Sequence, residues 1–215
     1  LLMNRFLQDG YYQIKPLIPK RIRLFLRRKY LHALLPRYRH VWPINEDAGN
    51  PPKNWQGWPE GKKFALVLTH DVEEKKGLSK CRQLAELEME LGFRSSFNFV
   101  AEDYEQDKEL RQFLTNNAFE IGLHGLTHKK NTFRSRKVFL EQAPRLNRYL
   151  QAWNSDGFRG PSMHRNLDWF HDLQIQYDAT TFDTDPFEPQ PGGVGTIFPF
   201  WISRRNGDGG YVELP

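Results

Sequence analysis

Two stretches, Leu66-Val67-Leu68-Thr69-His70-Asp71-Val72-Glu73 and Phe119-Glu120-Ile121-Gly122-Leu123-His124-Gly125-Leu126-Thr127-His128, share one design. Each is a short apolar run that ends in polar, ligand-capable side chains, the pattern of a buried strand that delivers functional groups to the rim of a sheet or barrel. A catalytic zinc usually takes three protein ligands, often two His and one carboxylate, and keeps a further position open. His124, His128 and an acid from the first stretch supply such a set. The i, i+4 spacing is also that of a helix-borne ligand pair, but no Glu follows His124 and Gly122 and Gly125 interrupt the segment, so a loop is expected and the base must come from elsewhere. Along an extended chain Thr69, Asp71 and Glu73 share one face, with His70 and Val72 on the other. Taken alone, His-x-x-x-His is as well explained by histidines capping a turn beside a solvated acidic cluster with Glu74. The Asp-x-Glu at a second strand end turns the reading toward a metal.

Outward from these stretches, strand-like runs near 64–70, 94–100, 119–124, 157–160, 174–179 and 196–202 alternate with helical patterns in the first half. One helix is expected from Ser79 to Leu91, with Ser79 as N-cap, Leu84, Leu87 and Leu91 on its buried face and Cys81 in the core. A second is expected over Lys137 to Leu150, with Val138, Leu140, Leu146 and Leu150 apolar and Pro144 bending or interrupting it. Such alternation gives an α/β fold with parallel pairing.

Thr69-His70-Asp71-Val72-Glu73, the His124 to His128 segment and Gly157-Phe158-Arg159-Gly160-Pro161 resemble, in order and spacing, the first three motifs of the polysaccharide deacetylase family, the NodB-homology metal-dependent deacetylases. The resemblance covers about residues 64 to 215. It implies a distorted, incomplete (β/α) barrel. It also implies that Asp71 is the general base, Glu73, His124 and His128 the metal ligands, and Arg159 the arginine that orients the base. Glu73 stands where the family has Asp, one methylene shorter. One divalent metal, zinc with cobalt or another ion as the alternative, would polarise an acyl oxygen and bring its water toward a pKa of about 7. Asp71 would take the proton as water attacks an N-acetyl carbonyl, and a backbone N–H near the first motif would help hold the oxyanion. Pro161 and Asp178 are the candidate substrate-side residues, Asp178 standing where a blurred fourth motif falls.

The family's late Leu-x-His, whose histidine protonates the leaving amine, has no counterpart after Arg159. Such tripeptides occur only earlier in the sequence, as Leu68-Thr69-His70 and Leu126-Thr127-His128, and His164 and His171 read as surface or packing residues. A full barrel takes about 200 residues or more, whereas 152 run from Phe64 to the end. The expectation is a C-terminally truncated catalytic domain over 64–215, able to bind metal and slow in turnover.

The 215 residues suffice for one core, and a single Cys81 excludes an internal disulfide. Residues 1–42 hold ten Lys or Arg and one acid, net +9, which leaves −4 elsewhere against the total of +5. Within Pro19 to Leu35, a stripe of Ile22, Phe25, Leu26, Tyr30 and Ala33 lies opposite Arg21, Arg27, Arg28 and His32. Two readings stay open for this N-terminal helical extension: a helix packed on the barrel with its arginines in solvent, or peripheral contact with an anionic membrane through residues 19–35. No motif supports nucleic-acid binding. Residues 43–63 read as a Pro/Trp-rich linker packed on the domain, with Trp55 and Trp58 partly buried. Without a long apolar run or a secretion signal, the location expected is cytoplasmic. The Pro186 to Gly195 loop and the aromatic run after it suit either a substrate wall or barrel filling, and Asp183 and Asp185 suit a turn before Pro186.

The function expected is metal-dependent removal of acetyl groups from an N-acetylated glycan. The alternatives are hydrolysis of non-sugar amides on the same fold, a non-catalytic metal- or glycan-binding protein, and a two-His, one-carboxylate iron oxygenase.

Overall fold

The structure is a computed structural model that describes residues 18–41, 43–53, 55–129, 132–163, 166–183, 193–204 and 207–215. The expectations for residues 1–17, His164, Asp185 and 186–192 lie outside the described residues. The chain divides into two compact units, Pro52–Thr181 with Phe198–Pro215, and Leu1–Pro51 with Phe182–Ile197.

In the second-named unit, helix α1 spans Lys20–Tyr38, contains Pro36 and has no buried residue. Ile22, Phe25, Leu26 and Tyr30 are exposed, and so are Leu24 and Leu35, so apolar side chains ring the helix rather than keeping to one face. A short 3₁₀ turn at Glu46–Gly49 is capped by the Asn45 side chain, which accepts from the Asp47 N–H. Ala48, buried, offers its carbonyl to the Ile197 N–H at 3.1 Å.

The larger unit carries one seven-stranded sheet. Its strands are β1 (Thr69–Val72), β2 (Ser96–Phe99), β3 (Glu120–Leu123), β4 (Gly157–Phe158), β5 (Tyr177–Asp178), β6 (Phe200–Ser203) and β7 (Gly210–Glu213). They lie in the order β1-β2-β3-β4-β5-β7-β6, all parallel except β6, which runs antiparallel to β7. The sheet is unclosed, with β1 and β6 at its borders, as expected of an incomplete barrel. Helices α2 (Lys75–Leu78), α3 (Cys81–Glu90), α4 (Lys108–Asn116) and α5 (Arg136–Trp153) fill the connections. Among the described residues no helix is long and apolar enough to cross a membrane. Trp55 and Trp58 are partly buried, edge to face at 4.9 Å, and both meet Phe198.

Register sorts the side chains of this sheet by face. Val72, Phe97, Phe99, Ile121, Leu123 and Phe158 line one side and are buried with Ala85, Leu114, Phe139 and Leu146 from the helices. Each such side chain contributes about 1.5–3 kcal/mol of burial, an upper figure for a compact unfolded chain. The partners on the other side are Asp71, Asn98, Gly122, Gly157 and Tyr177, one level across five strands. Helices cover the first side, and the second is left for polar chemistry.

Four local expectations need correction. The strand expected at 64–70 starts at Thr69, and Phe64, Leu66 and Val67 are more than 60% exposed. A border strand has a neighbour on one side only, so its preceding run gains little from extension. Ser79 does not cap α3 but ends α2: its Oγ donates to Lys76 O at 2.9 Å, and α3 begins at Cys81. The buried face of α3 is Cys81, Ala85 and Glu88, with Leu87 and Leu91 exposed. Glu88 turns inward because His70 Nε2 lies 2.7 Å from Oε1 and the Ser95 hydroxyl donates to Oε2 at 2.6 Å, which offsets the cost of burying an acid. Burial pushes the Cys81 thiol up to about 11. In α5, Ser135 caps the start by accepting from Val138 N–H, and Asn154 ends the helix in the left-handed region at φ 50°. Pro144 is exposed and does not interrupt the helix, whose inner face is Phe139, Ala143, Leu146 and Leu150, with Leu140 turned outward.

On the apolar side sit two acids, Asp178 and Glu213, paired in register and each 0% exposed. Thr180 gives Asp178 its N–H and hydroxyl, and Thr181 gives Glu213 the same two donors. Glu213 Oε2 meets no N–H or O–H among the described residues, and the partner left to it is a proton held by Asp178. Burial raises both acids, Asp178 well above the ordinary carboxylate range. The folded chain therefore binds more protons than the unfolded one above the ordinary values of 3.8 and 4.5. Stability held at low pH is lost as pH climbs through the raised values. Replacing Glu213 with Gln removes one ionisation and supplies an amide donor. Thermal unfolding from pH 5 to pH 8 is expected to give a flatter decline for Glu213→Gln than for the parent chain, by a few degrees over that range. Parallel declines would refute the shared proton.

Candidate metal centre

The site is assembled at the C-terminal ends of β1, β3 and β4. Asp71 lies in β1 with Glu73 just beyond it, His124 follows β3, and Arg159 follows β4. His128 is carried on the loop after His124. That loop turns at Gly125, whose φ is +78°; a Cβ there would also press on the Pro161 ring at 3.1 Å. The segment after β2 holds the loop in place. Ala101 N–H donates to Gly125 O, Glu102 N–H donates to Leu126 O, and Asp103 Oδ2 accepts from His128 N–H at 2.6 Å. Tyr104 donates its hydroxyl to Val72 O at 2.6 Å, fixing the backbone between Asp71 and Glu73.

Glu73, His124 and His128 each present a ligand atom, all within 4.8 Å of one another. Glu73 Oε1 lies 3.1 Å from His128 Nε2, and the two imidazoles stack at 5.4 Å between centroids. His124 is 3% exposed. Its Nδ1 is 2.8 Å from Arg159 O, so Nδ1 carries the proton and donates, and Nε2 is left with a lone pair. That Nε2 is buried with no hydrogen-bond partner among the described residues. Burial pushes His124 below its ordinary range against the opposing pull of Asp71, which keeps the ring neutral as a ligand must be. A buried lone pair without a donor, a second imidazole and a carboxylate fit a divalent cation.

Beside this cluster, Asp71 is gripped from two sides. Arg159 Nε donates to Oδ2 at 3.0 Å and Asn98 Nδ2 donates to Oδ1 at 3.1 Å, while His124 Nε2 is 4.0 Å from Oδ2. Asp71, Glu73, His124, His128 and Arg159 thus come together. Pro161 and Asp178 do not join them on an open surface. Pro161 is buried against Gly125, and Asp178 is linked to the segment after β4 through Thr180, whose Oγ1 accepts from Gly160 N–H at 2.8 Å. His70 is engaged by Glu88 on the opposite face, and His171 packs on Tyr211 at 5.3 Å.

Asn98, Asp103 and Tyr104 were not singled out by sequence. For Asn98 a signal exists: in Ser96-Phe97-Asn98-Phe99 the polar residues alternate with aromatics at period two, which marks a strand with one polar face.

No family model matches this chain, and no curated protein matches it in sequence. Among solved structures, a Mycobacterium smegmatis protein designated a polysaccharide deacetylase superposes with a TM-score of 0.56 at 19% identity, over 74% of this chain and 60% of the other. This chain thus spans about three fifths of that protein's length, and at this identity the likeness establishes the fold. An allantoinase superposes with a TM-score of 0.43 at 14% identity, over 62% of this chain and 42% of the other.

Zinc at about a hundred times its dissociation constant adds about 2.7 kcal/mol to the folded state. This is expected to raise the unfolding temperature of the parent chain by about 5–10 °C, and EDTA should reverse the shift. His124→Ala should abolish it. A shift that survives in His124→Ala would remove this cluster as the zinc site.

Proposed function

We propose that this protein is a metal-dependent amidohydrolase that removes acetyl groups from an N-acetylated glycan. The observation that carries the reading is the convergence of Glu73, His124 and His128, with a buried Nε2 that has no partner among the described residues, beside an aspartate held on both oxygens. The fold shared with a designated polysaccharide deacetylase supports it.

Glu73, His124 and His128 would hold the cation. When bound, a divalent metal supplies Lewis acidity, polarising an acyl oxygen and acidifying water. Asp71 Oδ2 faces the ligand cluster and takes the proton from the attacking water. Arg159 keeps that carboxylate turned toward the cluster through Nε, and its carbonyl sets the His124 tautomer. Having taken a proton, Asp71 returns it to the departing nitrogen, so one group serves as base and then acid. The sequence Asp-x-Glu therefore puts both acids on one face and divides their labour by where the strand ends: Asp71 works from β1, and Glu73 would reach the cation from just past its end.

Acetate release from a panel of N-acetylated oligosaccharides, with Zn(II) or Co(II), tests the reading. Asp71→Asn is expected to lower kcat by on the order of 10²–10⁴ while zinc binding persists. Oxygen consumption with Fe(II) in place of acetate release would assign the iron oxygenase instead. Zinc binding with no acetate from any substrate would leave a non-catalytic metal protein and overturn the proposal.

A further inference from the structure

We infer that Asn98 is a positioning residue for Asp71, and that Gly122 is glycine to make room for it. The inference rests on the role proposed above for Asp71. Asp71, Asn98 and Gly122 occupy one register level of β1, β2 and β3. Asn98 is 3% exposed. Its Nδ2 points to Asp71 Oδ1 at 3.1 Å, and its Oδ1 accepts from the Ser96 hydroxyl at 3.3 Å. The Ser96 contact fixes which end of the amide faces the aspartate. On the other side, a Cβ at position 122 would lie 2.0 Å from Asn98 Oδ1 and 3.1 Å from its Cγ. The amide therefore lies across the place where the side chain of the third strand would stand.

The chemistry gives this arrangement a purpose. A carboxylate rotates easily about its terminal bond, whose torsion is broad and two-fold. One donor on one oxygen leaves that rotation open, whereas Arg159 on Oδ2 and Asn98 on Oδ1 together fix the plane. An amide carries no net charge and exchanges no proton at ordinary pH, so it holds the base without competing for the proton the base must take. Arg159 supplies the charge on one side, and Asn98 supplies geometry on the other.

Asn98→Ala is expected to lower kcat about 10- to 100-fold, the scale of a misplaced catalytic group, with KM within about twofold and zinc affinity unchanged. Gly122→Ala should reproduce the kcat loss, because its methyl group displaces the Asn98 amide. The decisive measurement is the double variant. In a double-mutant cycle, Gly122→Ala should cost nothing further in kcat once Asn98 is Ala, and the unfolding temperature lost by the Gly122 variant should be recovered. Additive losses would mean that the two residues act separately, and an unchanged kcat in Asn98→Ala would overturn the inference. Crystal structures of the parent chain and Asn98→Ala give a readout that needs no activity. An Asp71 carboxylate turned from its original plane supports the positioning role, and an unmoved one refutes it. If the parent chain releases no acetate from any substrate, the proposed function falls, while the orientation of Asp71 still decides this inference.

Discussion

In-register parallel pairing of β1 through β4 brings to one rim side chains that are distant in the chain. The step from Asp71 to Asn98, Gly122 and Gly157 is a level walk across four strands, and two residues further, just past β3 and β4, stand His124 and Arg159. A slip of one residue on any strand would turn its polar set into the helix-packed core and its apolar set into the site. Register is protected against that slip because Phe97, Phe99, Leu123 and Phe158 have no exposed surface and would lose their packing together. The apolar side of the sheet thus specifies the geometry of the polar side.

Small residues matter on the polar side because large ones must cross it. Gly122 leaves space for the Asn98 amide, and Gly157 leaves space for the Tyr177 ring, which approaches within 2.1 Å of where a Cβ would be. Burial raises the Tyr177 hydroxyl well above the ordinary range, and the negative charge of Glu120 adds to the rise. Ser96, Asn98 and Asp71 form a connected polar layer, the Ser96 hydroxyl donating to Asn98 and the Asn98 amide to Asp71. A layer of this kind is stable only while each member finds a partner.

Much of this was legible in the amino-acid pattern. Alternation in Thr69-His70-Asp71-Val72-Glu73 separates Asp71 from His70 as the structure does, and apolar runs located β2, β3 and β4 within a few residues. The helix faces were less legible. Leu87 and Leu91 look like core by hydrophobicity, yet Glu88 faces inward because His70 and Ser95, from other elements, satisfy it. Such a partner is invisible along the chain. The run from Phe64 to Leu68 misled for a related reason: apolar character does not show that a neighbouring strand will be there to cover it. The pairing of Asp178 with Glu213 joins residues 35 positions apart, through β7 returning beside β5, and local pattern carries no trace of that return.

The burial of Cys81 has a practical side. A thiol that is 3% exposed and pushed up to about 11 offers almost no thiolate at neutral pH. As it is the chain's sole sulfhydryl, maleimide or spin-label reagents should pass it by. A reporter cysteine introduced on the surface would then be labelled selectively with the native residue left in place, so distances to the site become measurable by spectroscopy without disturbing the core.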